Sequence, residues 1–462
     1  MIAFGLCVWG ATWARGQDAP ADSGVSSVPI PETPVGEQLR WLLSVFSGAS
    51  AEVEEVGGVA GVGGRLADSF KEAIAPEVLA RQLQMVTTSI LEGGPTVLES
   101  IGPGMDAHSI SGRLRSEANG VVLAFRLAVD PETGLITMMS NRVIPGSGKD
   151  AAASWEVLSE RVGALRGTAN LYVARVEPDG SLAPLASVNP GARLAIGSTF
   201  KLYVLGALAE EVRDGRRRWD EPLAIRDAWK SLPSGVMQLD PEGTEHPLSE
   251  HALKMISISD NTATDHLVLL LGRERVEAFM VGLNGDPARN TPFLTTRDMF
   301  AMKLGADRSL ADRYIASDVA TRRAMLAEEG EVASAVPSLI AAAMWKAPAW
   351  IDTLEWFATA EECARLIVAV DALSTTPQNE PVSKALRANP GIPFDRSIWS
   401  SIAYKGGSEP GVLNLTWLVD RADGARFVLS VGWNDPKAEV DLNTLIDLAG
   451  QGFGLLAKVP SE

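Results

Sequence analysis

The chain has 462 residues, of which 46% are hydrophobic and 21% charged, and its formal net charge is −17. This is a globular composition, and the length suits two domains better than one core. The negative charge argues against nucleic acid or an anionic membrane surface as the main partner, because both bind basic surfaces.

The N-terminus indicates an exported protein. Ile2 to Ala14 form an apolar run too short to span a bilayer, followed by small residues and a polar, proline-containing stretch. Residues 1–16 resemble a secretory signal peptide, although no basic residue precedes the run; a leader without function is the alternative. Residues 17–36 are predicted to be a linker. We expect a periplasmic or extracellular protein without a membrane span after signal removal.

Cysteine and histidine usage argues against metal chemistry. The two cysteines are Cys7 and Cys363, so removal of the leader would leave one and no intrachain disulfide. The four histidines show no ligand spacing. We therefore expect no metal and no cofactor, and a serine nucleophile would need a base other than histidine.

Residues 37–145 are predicted to form a small α+β domain. One face of the first helix is apolar, with Leu39, Leu42, Leu43 and Phe46. Pro76 and Gly93 bound a second predicted helix. From Pro95 to Pro145 the hydrophobic period shifts to two, with turns at Asn119–Gly120 and from Asp130 to Gly134.

Residues 151–462 are predicted to form the second domain. It opens with a helix and two strands near residues 169–176 and 182–188, continues with helices to about residue 388, and ends with two strands and a helix over residues 442–456. This order predicts one antiparallel sheet, built from both ends of the domain, against a helical lobe. The fold class is therefore an α/β two-domain protein.

A lysine inside an apolar helix is the first chemical signal. Ser198 and Lys201, in "GSTFKLYVLGALAEEV", lie at i and i+3 and share a helix face. The structural alternative is a capping serine and a snorkelling lysine. The chemical interpretation is that burial lowers the pKa of the lysine, whose neutral amine then acts as general base for the serine.

Two further motifs follow in order. Ser259-Asp260-Asn261 lies at a predicted helix start about sixty residues later, and Lys405-Gly406-Gly407-Ser408 enters a predicted strand. The glycines allow close approach to the backbone.

Together these motifs resemble those of the penicillin-recognising serine hydrolases, and class A β-lactamases most closely. The resemblance covers about residue 151 to the C-terminus and implies the β-lactamase/transpeptidase-like fold. It implies Ser198 as the acylated nucleophile, Lys201 as its base and Ser259 as the proton shuttle.

The same resemblance implies a substrate-binding set. Asn261 would contact the substrate amide and Lys201, Lys405 would attract a substrate carboxylate, and Gly407 and Ser408 would line the substrate. The backbone N–H groups of Ser198 and Ser408 would form the oxyanion hole, and Asp260 would be structural.

Two departures from the family pattern concern catalysis. Gly406 stands where the family has Thr or Ser, and Ser408 could replace the lost hydroxyl. No Glu-x-x-Leu-Asn motif lies between Asn261 and Lys405, so no base for deacylation is placed. Asp352 or Glu355 could face the site, but surface or ion-paired carboxylates are the alternative. Three tryptophans could cap a cleft or pack in the core: Trp345, Trp350 and Trp356.

The two-domain layout resembles serine hydrolases related to a β-lactamase-like protein of clavulanic acid biosynthesis. That resemblance implies an NTF2/steroid-isomerase-like fold for residues 37–145. Asp106 and His108 are the obvious polar candidates there, for a structural or ligand-binding role rather than an isomerase.

The sequence thus predicts an exported serine hydrolase acting through an acyl-enzyme on Ser198, with a small-molecule β-lactam or similar ester or amide as substrate. A peptidoglycan D,D-peptidase shares all three motifs. A β-lactam-binding sensor that stays acylated is the alternative of another class. The oligomeric state is left open.

Overall fold

The structure, a computed structural model, describes residues 28–46, 59–104, 106–283, 285–327, 330–335 and 345–461. The predicted signal peptide and Cys7 lie outside these residues. The chain divides into two compact units, residues 1–151 and 152–462. Across the described ranges, no helix is long and apolar enough to cross a bilayer.

The first unit contains short helices and a four-stranded antiparallel meander. Its helices are α1 (Pro34–Phe46), α2 (Val59–Gly63), α3 (Asp68–Ala73) and α4 (Pro76–Met85), the last continuing into a π-helical turn (Val86–Ile90). Its strands, in sheet order, are β1 (Thr96–Pro103), β2 (Ser109–Ser116), β3 (Val122–Val129) and β4 (Ile136–Val143).

Two element ends differ from the predicted ones. The linker is shorter than expected because α1 begins at Pro34, and proline suits the first turn of a helix, where its missing N–H costs no bond. The second helix is α-helical only to Met85, and its last turn is widened so that Leu91 N–H donates to Val86 O at 2.9 Å.

The second unit contains the larger sheet and the helical lobe. The lobe helices are α6 (Lys201–Arg213), α7 (Leu248–Ser257), α8 (Asn261–Leu271), α9 (Arg273–Gly282), α10 (Pro287–Asn290), α11 (Thr296–Leu304), α12 (Ser309–Ala316), α13 (Val319–Met325), α14 (Glu331–Ser334), α15 (Ala360–Leu373) and α16 (Glu380–Arg387). The other two helices are α5 (Trp155–Gly163) and α17 (Leu442–Leu456). Its strands are β5 (Thr168–Val176), β6 (Leu182–Val188), β7 (Leu194–Ala195), β8 (Pro222–Ala224), β9 (Glu245–Pro247), β10 (Phe357–Ala358), β11 (Trp399–Glu409), β12 (Val412–Arg421) and β13 (Arg426–Asn434).

The main sheet is antiparallel in the order β11-β12-β13-β5-β6. The first two and the last three strands of the unit therefore lie side by side, and β5 pairs with β13 from Thr168↔Asn434 to Arg175↔Phe427. This is the sheet from two chain ends that the sequence predicts.

Alternation along β12 gives the sheet two covered faces. Leu413, Leu415 and Trp417 pack in the core that includes Leu158 of α5 and residues of α17, whereas Leu418 packs in the core of the helical lobe. With both faces covered, the sheet is a rigid platform for the loops and helix ends at its edge.

Candidate active site

The site is built around the start of α6. A single 3₁₀ turn, Gly197–Phe200, precedes the helix, and Gly197 has a left-handed φ of +46°. Ser198 lies on this turn, half-buried, and Lys201 is the first α-helical residue. α6 is buried on nearly every side, so the turn places Lys201 in the interior of the lobe with no route for its side chain to reach solvent.

Lys201 is held by the second motif. Its Nζ donates to Ser259 O at 2.6 Å and to Asn261 Oδ1 at 2.7 Å, and it lies 3.2 Å from Ser259 Oγ. Burial, followed by the positive charge of Lys405, lowers the pKa of Lys201 well below its ordinary value. A neutral amine has two N–H groups and one lone pair. The two short bonds use both N–H groups and leave the lone pair to take a proton.

Ser259 has a strained backbone that serves this arrangement. Its φ is +58°, a conformation rare for residues other than glycine, and its carbonyl also accepts from Ser234 Oγ at 2.6 Å. The turn aims both the carbonyl and the hydroxyl of Ser259 at Lys201. Ser234 lies in residues 231–237, "SLPSGVM", a stretch to which the sequence analysis gave no role.

Asp260 holds the turn in place. Its carboxylate is fully buried and caps α8 by accepting from Ala263 N at 2.8 Å, and it also accepts from Val236 N at 2.6 Å and Met237 N at 2.9 Å. Asn261 is oriented by its Nδ2, which donates to Leu232 O at 3.0 Å and so leaves Oδ1 facing Lys201.

Lys405 approaches from β11. Its Nζ lies 3.1 Å from Ser259 Oγ and donates to Gly406 O at 2.5 Å. Burial lowers the pKa of Lys405 to about 7. The Ser259 hydroxyl thus lies between two buried amines and can pass a proton between them or to a bound molecule.

The end of β11 lies directly on the turn that carries Ser198. A Cβ added to Gly407 would lie 2.1 Å from Ile196 O and 2.4 Å from Ser198 N, and one added to Gly197 would lie 2.9 Å from Ser408 N. No side chain fits at either position. The main chains of Ser198 and Ser408 therefore lie against each other, and an oxyanion hole requires two N–H groups in such proximity.

The glycine at 406 has a steric reason. A Cβ there would lie 2.1 Å from the hydroxyl oxygen of Tyr404, whose ring stacks on Trp417 at a centroid distance of 5.0 Å. Threonine or serine there would require this tyrosine to move. The exposed side chain of Ser408 is the hydroxyl available at this strand end.

The predicted residues do not all contact one another. Among the described contacts, the bonds of Lys201 go to Ser259 and Asn261 and none goes to the Ser198 hydroxyl, although catalytic hydrogen bonds often shorten only when substrate is bound. Asp352 is exposed. Glu355 is buried against Lys303, with Oε1 2.5 Å from Nζ, so it is ion-paired.

The three tryptophans pack in the lobe core or at its edge, and the two polar candidates of the first unit lie on an exposed turn. Trp356 is buried and stacks on Phe200 at a centroid distance of 3.7 Å, and Trp345 and Trp350 pack at the edge of the lobe core. In the first unit Asp106 and His108 are exposed on a turn where Asp106 Oδ1 accepts from His108 N at 2.9 Å.

The fold and the three motifs are those of the penicillin-recognising serine hydrolase superfamily. The sequence model of the β-lactamase enzyme family matches residues 155–452, well over half of the chain, and the chain therefore belongs to that family. No curated protein is significantly similar to the chain in sequence.

Solved structures align with about two thirds of this chain. A β-lactamase from Sphaerobacter thermophilus is 20% identical with a TM-score of 0.45, over 66% of this chain and 96% of that one. PBP-A is 16% identical with a TM-score of 0.43, over 65% and 96%. A class A β-lactamase from Mycobacterium abscessus is 14% identical with a TM-score of 0.44, over 65% and 98%.

Proposed function

We propose that this protein is a serine hydrolase that forms an acyl-enzyme on Ser198 with β-lactams or with esters and amides of similar shape. The observation that carries the proposal is Lys201, a fully buried lysine whose two short hydrogen bonds leave a lone pair for the proton of a serine. A structural lysine would keep its charge and pair with a carboxylate. No carboxylate contacts Lys201 within the described residues.

Acylation follows from this geometry. Ser198 Oγ attacks the carbonyl carbon of the substrate while its proton passes to the Lys201 amine, and the carbonyl oxygen becomes an oxyanion between the N–H groups of Ser198 and Ser408. The bond to the leaving nitrogen or oxygen then breaks. Ser259 Oγ gives its proton to the leaving group and takes one from Lys201, which returns to the neutral amine.

Deacylation has less support from the site. Water must attack the ester carbonyl and give up a proton, and the group placed to accept it is again the Lys201 amine. The carboxylate of Glu355 is held by Lys303. A slow second step follows, and this favours the second candidate, a β-lactam-binding sensor that stays acylated. A D,D-peptidase would use the same first step.

The test is intact mass over time with a penicillin, a cephalosporin and a chromogenic ester, with Ser198→Ala as the control. An adduct that decays with product supports the hydrolase, and a stable adduct supports the sensor. Folded wild-type protein that gives neither adduct nor product would refute the acyl-enzyme proposal.

A further inference from the structure

Three buried ionisable side chains lie outside the motifs. Lys303 of α11 has its Nζ 2.5 Å from Glu355 Oε1 and 2.6 Å from Glu409 Oε1. The side chains of Lys303 and Glu355 are 0% exposed and that of Glu409 is 3% exposed. The indole ring of Trp345 lies 5.7 Å from the same Nζ. We call Lys303, Glu355 and Glu409 the Lys303 cluster.

Glu409 connects the cluster to one side of the oxyanion hole. It directly follows Ser408 on β11, and by strand alternation its side chain leaves the same face as Lys405 and Gly407. The main chain of Gly407 lies against that of Ser198, since a Cβ on Gly407 would lie 2.4 Å from Ser198 N. A movement of Glu409 would therefore move the Ser408 N–H relative to Ser198.

Glu355 connects the cluster to the turn that carries Ser198. It precedes Trp356, whose carbonyl accepts from Ile196 N at 2.9 Å and whose ring stacks on Phe200. Ile196 and Phe200 flank Ser198 on the same turn. Contacts thus run from Ser408 through Glu409, Lys303 and Glu355 to the turn of Ser198, so the cluster links the two segments that carry the proposed N–H donors.

The charges in the cluster do not balance unless one carboxylate holds a proton. Burial, followed by the neighbouring Glu355, raises the pKa of Glu409 well above its ordinary value. Glu409 Oε2 is buried without a hydrogen-bond partner among the described residues. The charged groups described around Glu409 are Lys303, Glu355 and, farther back on β11, Lys405, while Arg308 Nη1 donates to Lys303 O at 2.7 Å.

We propose that Lys303 is a positioning residue for the oxyanion hole: through Glu409 and Glu355 it fixes the Ser408 and Ser198 N–H groups, and a proton held by Glu409 keeps this surrounding uncharged. A second negative charge there would oppose the oxyanion in a site of low dielectric. The proposal rests on the proposed acylation of Ser198. The rival explanation is a buried ion cluster that only stabilises the fold.

The experiment compares Lys303→Met with Arg273→Met. Arg273 forms a different buried ion pair, with Asp298 at 2.7 Å, and has no part in the Lys303 cluster. We expect Lys303→Met to acylate about 10²-fold more slowly with an unchanged KM, the size of effect seen when one oxyanion donor is lost. Its affinity for phenylboronic acid, which forms a tetrahedral adduct on serine, should fall alongside. Arg273→Met should lower the thermal midpoint and leave both values unchanged.

Glu409→Gln tests whether the proton on Glu409 matters. Glutamine has the same shape as glutamate, so this variant serves as the test if Lys303→Met fails to fold. We expect wild-type rates at neutral pH. With a neutral ester, on which Lys405 does not act, we expect the wild type to lose rate at alkaline pH and Glu409→Gln to lack that fall. Equal acylation by folded Lys303→Met, or an unchanged alkaline fall in Glu409→Gln, would overturn the proposal.

An amide titration separates this proposal from the proposed function. In unligated wild type the Ser198 and Ser408 amide resonances should shift together with pH in a step that Glu409→Gln lacks. Wild type that is never acylated refutes the proposed function. Amides that fail to shift refute the coupling of the cluster to the two donors, whatever the activity.

Discussion

A methyl group on Gly407 would lie 2.4 Å from the main-chain nitrogen of Ser198. This distance is shorter than any real Cβ contact, so the strand that carries Lys405 and the turn that carries the serine can meet only through glycine. The proposed oxyanion hole therefore depends on the absence of a side chain.

Gly407→Ala should accordingly slow acylation by about 10²-fold or more, because the backbone must move and the two N–H groups separate. The rate of adduct formation on Ser198, followed by mass, measures this. Gly454→Ala on α17 is the matched control, since a Cβ there meets nothing within 4 Å, and it should react as wild type does. Normal acylation by Gly407→Ala would contradict the placement of the hole.

Lys201→Met should slow acylation by about 10²- to 10⁴-fold, the usual contribution of a general base. Lys201→Arg should not restore the rate, because a guanidinium keeps its proton at any working pH. Stopped-flow measurement with a chromogenic β-lactam gives the rate constants. If the arginine variant reacts as fast as wild type, Lys201 is a fixed positive charge and not a base.

The pH dependence should separate substrates by charge. Burial lowers the pKa of Lys405 to about 7, so the free protein loses this positive charge as pH rises through 7. For a substrate with a carboxylate, kcat/KM should fall in a step at about pH 7, and a neutral ester should lack this step and show only the fall expected from Glu409. Lys405→Met should remove the difference between the two profiles. Parallel profiles in wild type would show that Lys405 does not bind the carboxylate.

The lowered pKa of Lys405 also makes the free energy of unfolding depend on pH. The unfolded chain keeps Lys405 protonated up to its ordinary pKa of 10.5, whereas the folded chain releases the proton near 7. The unfolded state therefore binds more protons between about pH 7 and 10.5, and in this window the contribution of Lys405 to stability rises with pH. Lys405→Met should flatten that rise in denaturant titrations made at several pH values.

Asp260→Asn should cost about 2–4 kcal/mol of unfolding free energy, because one buried carboxylate oxygen receives two backbone N–H groups and the other caps α8. Urea unfolding measures the loss. Asp441→Asn at the start of α17, a cap with Thr444 N at 2.8 Å, is the matched control and should lose less. Equal losses would mean that the bonds to Val236 and Met237 add nothing.

Much of the site could be predicted from short stretches of sequence. Ser198 and Lys201 are one helical turn apart, and Asp260 precedes an apolar helix in a capping position. Local geometry brings such neighbours together in almost any tertiary context. The strand period and the turn residues likewise predicted the sheet of the second unit, and its closing helix, Leu442–Leu456, has the predicted ends.

Tertiary structure alone decided the surroundings of the oxyanion hole. Lys303 shows the same signal as Lys201, a lysine in an apolar helix, yet one lysine meets two glutamates and the other meets none among its described contacts. The partners of Lys303 lie 52 and 106 residues away along the chain, in segments with no shared period or motif. Which charges meet across such separations is set by the packing of the whole lobe, and the free energy of burying them depends on those partners.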